Sequence, residues 1–202
     1  GGMSMISLGV AGAMISMVAM SGMFVSQDII FNRIFTKHQD ILVASPVEPI
    51  SYLLGMAVSN LLSVGVGVLP YAVLLYLQGK LTLDVAFAVL IPLLICYISN
   101  LMFGFYLGTV VNDVKTGNAL GNIMILGLIY LPPVYYPITS LPEFLRMPCL
   151  IIPTVSASQI IGHALGSPTV VADYVPIAWL ILILSSLIFG VLTIKNVRWR
   201  EK

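Results

Sequence analysis

The sequence has 202 residues, of which 59% are hydrophobic and only 8% charged, with nine Lys and Arg against eight Asp and Glu and a formal net charge of +1. Soluble domains carry about 25% charged residues, so a mean hydropathy of +1.05 excludes a water-facing surface around a single core. No basic run for nucleic acid is present, and the two cysteines, Cys96 and Cys149, fit no metal-ligand spacing.

The apolar residues fall in blocks able to cross a hydrocarbon layer, which a helix of about 20 residues spans. The chain therefore reads as one transmembrane domain over 1–202: an all-α, polytopic membrane helical bundle with five spans. The first span covers 3–27, and its methionines (Met14, Met17, Met20 and Met23 among them) suit adaptable packing or a flexible lining. A polar connector, 28–50, follows; in it Ile29, Ile30, Ile34, Phe35, Ile41 and Leu42 alternate with Asn32, Arg33, Thr36, Lys37 and Gln39. Two readings stand for it: an ordinary charged loop, or a short interfacial helix that docks on a soluble partner and ends at Pro46 and Pro49.

The second span is expected over 51–77 and the third over 84–110, joined by 78–83. Asn60 and Asn100 lie nearest mid-span and read as interhelical hydrogen-bonding groups ahead of substrate contacts. Gly104 with Gly108 has the four-residue spacing of close helix packing, as do Gly117 with Gly121 and Gly162 with Gly166. A turn at 111–118 leads to the fourth span, 119–136, where Tyr130, Tyr135 and Tyr136 suit interfacial anchoring. Connector 137–173 is too long for a simple link and too interrupted for a span. Two short re-entrant helices are expected in it. One, 141–150, is bounded by Pro142 and Pro148; the other, 156–165, has Thr154 or Ser156 as its cap and Gly166 beyond its end. The fifth span is 174–195, with a basic tail behind it.

Orientation follows from the basic residues. Arg33, Lys37, Lys115, Lys195, Arg198, Arg200 and Lys202 fall on one side, and only Lys80 and Arg146 on the other. Seven against two puts 28–50, 111–118 and the C-terminus in the cytoplasm and 137–173 outside. With five spans the N-terminus then lies outside, and an upstream cytoplasmic segment and one more span are expected before Gly1. All eight acidic residues lie in loops or near span ends, which argues against proton coupling. There is no G-x-x-x-x-G-K-[ST] loop for ATP and no H-E-x-x-H, S-x-x-K or G-x-S-x-G catalytic motif.

The stretch DILVASPVEPISYLLG resembles the signature region of type-2 ABC exporter permeases, with Leu42, Ser45, Pro46, Val47, Tyr52 and Gly55 at matching places. The similarity extends through the turn NDVKTGNA to the connector PPVYYPITSLPEFLRMPCLIIPTVSASQIIGHAL. The family's acidic and basic turn is represented here by Arg33, Lys37, His38 and Asp40. The resemblance implies a six-span fold, of which the N-terminal cytoplasmic helix and first span are missing here. It implies a transport permease, not an enzyme, that forms a pathway as a homodimer. A separate ABC ATPase subunit would carry the ATP and Mg, and no cofactor belongs to this chain. By resemblance Arg33, Lys37, Asp40, Ile41, Leu42, Ser45, Pro46 and Val47 make the ATPase contact, and the first and fourth spans line the pathway. The alternatives are an ion-coupled secondary transporter or channel without an ATPase, and an anchoring subunit with no pathway.

Overall fold

The computed structural model describes residues 2–34, 49–111, 113–168 and 170–196. In chain order the helices are α1 (Gly2–Ile34), α2 (Pro49–Leu77), α3 (Leu83–Val110), α4 (Val114–Ile125), α5 (Glu143–Cys149), α6 (Pro153–Ala164) and α7 (Val175–Asn196). Helix α4 continues as one π-helical turn, Leu126–Tyr130, and 3-10 turns occupy Ile138–Ser140 and Ala172–Tyr174. No strand occurs among the described residues, so the all-α bundle expected from composition is the fold. Four segments are long and apolar enough to cross a membrane: Ile6–Asn32, Ser51–Leu77, Leu83–Val110 and Ala172–Lys195. They coincide with the first, second, third and fifth apolar blocks.

The fourth block differs. Its helix begins earlier than 119, at Val114, and stops at Tyr130, because Pro132 and Pro133 can supply no backbone donor to continue it. Its start has a clear cause: the Asp113 carboxylate accepts from the Thr116 backbone N–H and from the Thr116 hydroxyl, both at 2.9 Å. These bonds hold the Asp113 carboxyl below its ordinary range, the Thr116 N–H contributing most and its hydroxyl next.

Helix α1 is the axis of the bundle. Of its apolar window 72% is buried, against 6% for α2 and 17% for α7. Glycines permit this crowding. Gly22 of α1 meets the Asn100 backbone of α3, and Gly104 meets the Gly22 carbonyl, so the two main chains touch where they cross. Further along, Gly108 faces Ile29, while Gly117 and Gly121 of α4 face Ile30 and Gln27. The first two of the three four-residue glycine pairs thus pack against one helix, on two of its sides. Gly166 has a different task, since its φ of +66° ends α6 in a left-handed turn. There Ser167 N–H bonds the Gly162 carbonyl at 2.9 Å and Gly166 N–H bonds that of His163 at 3.0 Å.

The order of these contacts along each helix gives the topology: α1, α3 and α7 run one way, α2 and α4 the other. Polar bonds between helices tie α3 to its neighbours. Tyr97 donates to the Ala57 carbonyl of α2 at 2.6 Å, Ser99 to the Ser185 hydroxyl of α7 at 3.2 Å, and Thr193 to the Met102 carbonyl at 2.7 Å. Asn100 was the expected interhelical group, yet its amide bonds its own helix, at the Cys96 carbonyl, 2.8 Å away. The same amide also reaches the Cys96 sulfur at 3.3 Å, and the Gly22 crossing packs against the Asn100 backbone.

Helices α5 and α6 form a pair bent by 102°, as two short elements rather than one straight span. All of α6 from Pro153 to Gly162 is buried, although it carries Thr154, Ser156, Ser158 and Gln159. Its cap is Ile152 with Pro153 at the first position, not Thr154 or Ser156, because those hydroxyls are engaged elsewhere. Thr154 donates to the Leu128 carbonyl in the π turn and Ser156 to the Leu150 carbonyl, both at 2.6 Å. Ser158 reaches the Pro133 carbonyl at 3.3 Å. The polar face of α6 therefore satisfies the carbonyls freed where the fourth block breaks, as a break at membrane depth requires.

Candidate functional site

An open concave feature lies between α1 and α2, near the ends that segment 35–48 joins. It is a cleft of about 400 Å³. Val25 and Asp28 form its α1 wall, and Tyr52, Gly55, Met56, Ser59, Asn60 and Ser63 its α2 wall. The α2 residues recur at three- and four-residue steps, so they share one helix face. Asn60 stands about 16 Å along α2 from Pro49, at ~1.5 Å per residue, so the cleft reaches well into the apolar length of the helix. Gly55 leaves the cleft open, as an added Cβ there would meet nothing within 4 Å. The Tyr52 hydroxyl is hydrogen-bonded to the Asn32 side chain, which ties the two walls together at one end. Ser63 donates to the Ser59 carbonyl at 3.3 Å. The Asn60 Oδ1 atom is buried with no hydrogen-bond partner among the described residues, against the expectation of a bond between helices for that oxygen.

Among the residues expected to make the ATPase contact, Arg33 falls in the last turn of α1. Lys37, Asp40, Ile41, Leu42, Ser45, Pro46 and Val47 lie outside the described residues, as does His38. Tyr52 and Gly55, which carry the other half of the signature, both line the cleft. The signature therefore runs directly into the α2 wall.

A family model described as ABC-2 type transporter matches residues 2–161. The chain belongs to this family. The match runs from α1 through most of α6, so it includes the cleft, the α3–α4 turn and the bent α5–α6 pair. No curated protein and no solved structure matches the chain.

As an ABC-2 permease the protein is a multi-pass membrane transport component, and its family implies an ABC ATPase as partner. Sequence reasoning missed the cleft residues Asp28, Ser59 and Ser63 of this permease. A signal was present: Tyr52, Met56, Ser59 and Ser63 repeat with helical period, which marks a partly polar face on an otherwise apolar helix. Nothing in that pattern says that α1 lies opposite it. Among the described residues no cluster of His, Cys, Asp and Glu could hold a metal ion.

Proposed function

We propose that this ABC-2 permease forms the translocation pathway of an ATP-driven exporter in the cytoplasmic membrane, working as a homodimer with a separate ATPase subunit on each copy. ATP and Mg are bound on that ATPase. The segment 28–50 is its docking element. The observation that carries the reading is the family match over 2–161, which contains the S-P-V signature between α1 and α2. The seven-to-two distribution of Lys and Arg supports a cytoplasmic C-terminus, and with it an external position for the α5–α6 pair as a re-entrant cap.

Exposure supports a pathway or a second copy along one line of α1. Among its described side chains the large exposed apolar ones are Ile6, Met17, Phe24 and Phe31, and the last three recur every seven residues. A stripe that narrow, on a helix otherwise enclosed, suits contact with a lumen or a partner rather than general lipid solvation.

The test is to express the permease with a Walker-containing ABC ATPase from the same organism and measure ATP-dependent transport in vesicles. Deletion of 41–43 is expected to abolish ATPase copurification and transport together while the permease still inserts. Full transport by the permease alone in an ion gradient, without ATP, would refute the proposal in favour of a secondary transporter.

A further inference from the structure

Helix α4 carries three lengthwise pairs, each repeating at four residues. Gly117 and Gly121 pack on α1. Asn118 and Asn122 are turned from them by about 100°, and Ala119 and Ile123 by about 200°, at ~3.6 residues per turn. Both Asn side chains are exposed, and Ile123 is 61% exposed on the far side. On α1, Gln27 faces Gly121, and a smaller turn leads from it to Phe24 and Phe31, both about half exposed. Because the two helices are right-handed and antiparallel, these turns lead to the same side. The carboxamides of α4 and the aromatic stripe of α1 form one face.

That face does not suit lipid. Gln27 lies five residues inside the end of the span Ile6–Asn32, so Asn122 stands roughly 8 Å within the apolar length. A carboxamide has two N–H donors and a carbonyl acceptor, and hydrocarbon satisfies none of them. No hydrogen bond among the described residues engages the side chain of Asn118 or Asn122. Within membranes such groups bond across to another helix, yet among the spans only α1 packs along α4. Symmetry favours a second copy. Copies inserted the same way are related by an axis along the membrane normal, so residues near it meet their own counterparts at equal depth. A carboxamide, being donor and acceptor at once, can bond its own counterpart; a carboxylate or an ammonium cannot. Lys115, the one charge on this flank, sits in the first turn of α4, at the end of the apolar length.

We propose that two copies of the chain meet along this face, with the Asn118 and Asn122 carboxamides of α4 paired across a two-fold axis and the Phe24 stripe of α1 packed beside them. This rests on the homodimer reading above and assigns its interface.

The experiment uses the full chain in membranes of the expression host. The background is Cys149→Ser, which leaves only the buried Cys96. Asn118→Cys, Asn122→Cys and Ile123→Cys are each oxidised with copper phenanthroline and run on a gel without reductant. Positions 122 and 123 lie at nearly one depth, so the side they face is what differs. The two Asn variants are expected to give a band of twice the chain mass that Ile123→Cys and the background lack. In detergent, light scattering follows dissociation of the dimer. The double variant Asn118→Leu/Asn122→Leu is expected to dissociate about tenfold more readily, the scale of two interhelical hydrogen bonds. A dimer that crosslinks through Ile123→Cys at least as well as through Asn122→Cys overturns this interface and leaves the homodimer standing. So does a double variant that associates normally. A chain that is monomeric throughout overturns both. Modification of Asn122→Cys by a membrane-impermeant methanethiosulfonate without any crosslink makes the face a water-filled lumen, which also refutes the contact.

Discussion

The crossing of α1 and α3 allows a quantitative test. Replacing Gly104 by Ala places a Cβ against the Gly22 carbonyl oxygen, 2.6 Å from its carbon and 3.0 Å from the Gly22 Cα. All three are main-chain atoms, so no rotamer change relieves the clash. Carbon atoms rest about 3.5–4.0 Å apart, so the helices must separate by roughly 1 Å along their most intimate contact. Overpacking costs about 1–3 kcal/mol, and a rigid backbone clash belongs at the upper end. Against this, Ala is favoured over Gly inside a helix by about 1 kcal/mol. The net loss is about 2 kcal/mol, a melting temperature lower by about 4–8 °C for a chain of this size. Gly65→Ala and Gly190→Ala serve as controls, because an added Cβ at either meets nothing within 4 Å. They are expected to leave the melting temperature unchanged or raise it slightly. Thermal unfolding in detergent, followed by thiol reactivity or helical circular dichroism, measures all three. If Gly104→Ala melts with the controls, the main-chain contact is not as close as described and the reasoning fails.

Three further outcomes are expected. Thr154→Val keeps the shape of the side chain but orphans the Leu128 carbonyl, so it should cost about 1–3 kcal/mol, whereas Ser186→Ala, which removes only a bond within its own helix, should cost little. Gly166→Ala forces an L side chain into the left-handed region and should lower the melting temperature by a few degrees, at about 1–2 kcal/mol. Asp113 titrates lower folded than unfolded, so its cap stabilises α4 above the ordinary carboxylate pKa, near about 4, and is lost as the pH falls through the depressed folded value. Asp113→Asn should therefore show a flatter acid limb in melting temperature against pH, and an unchanged limb would count against the cap.

The four long helices were legible because hydropathy alone marks a segment that crosses lipid. Their ends agree within a few residues at 51–77 and 84–110. Helix α1 extends beyond 27 to Ile34, and the helical alternation at Ile29, Ile30 and Ile34 carried that signal. The break after Tyr130 was hidden for a physical reason. Leu131, Pro132, Pro133 and Val134 carry no charge or side-chain hydrogen-bonding group, and hydropathy registers side chains, not missing backbone donors. The polar face of α6 was visible in the sequence as Thr154, Ser156 and Ser158, and it read as capping. The partners of Thr154 and Ser158 are carbonyls some 25 residues away, which no local pattern reveals. The cleft was half legible, since the α2 face shows its period while Asp28 looks like a span end. The role of Asn100 was misread because only the geometry of the crossing decides where its amide can reach.

The glycine crossing also sorts the bundle by stiffness. Where two backbones touch there is no side chain to compress, so α1 and α3 move as a single strut. Helix α2 is held more loosely, through Tyr97 on the Ala57 carbonyl and the tie from Tyr52 to Asn32, with Met17 lying beside Gly67. A change in the angle between α2 and that strut would alter the width of the cleft, since the two helices form its walls. Segment 35–48 is tethered to the strut at one end and to the free arm at the other. A pull or push on it would change the width of the cleft, opening or closing it like a pair of tweezers with one fixed jaw.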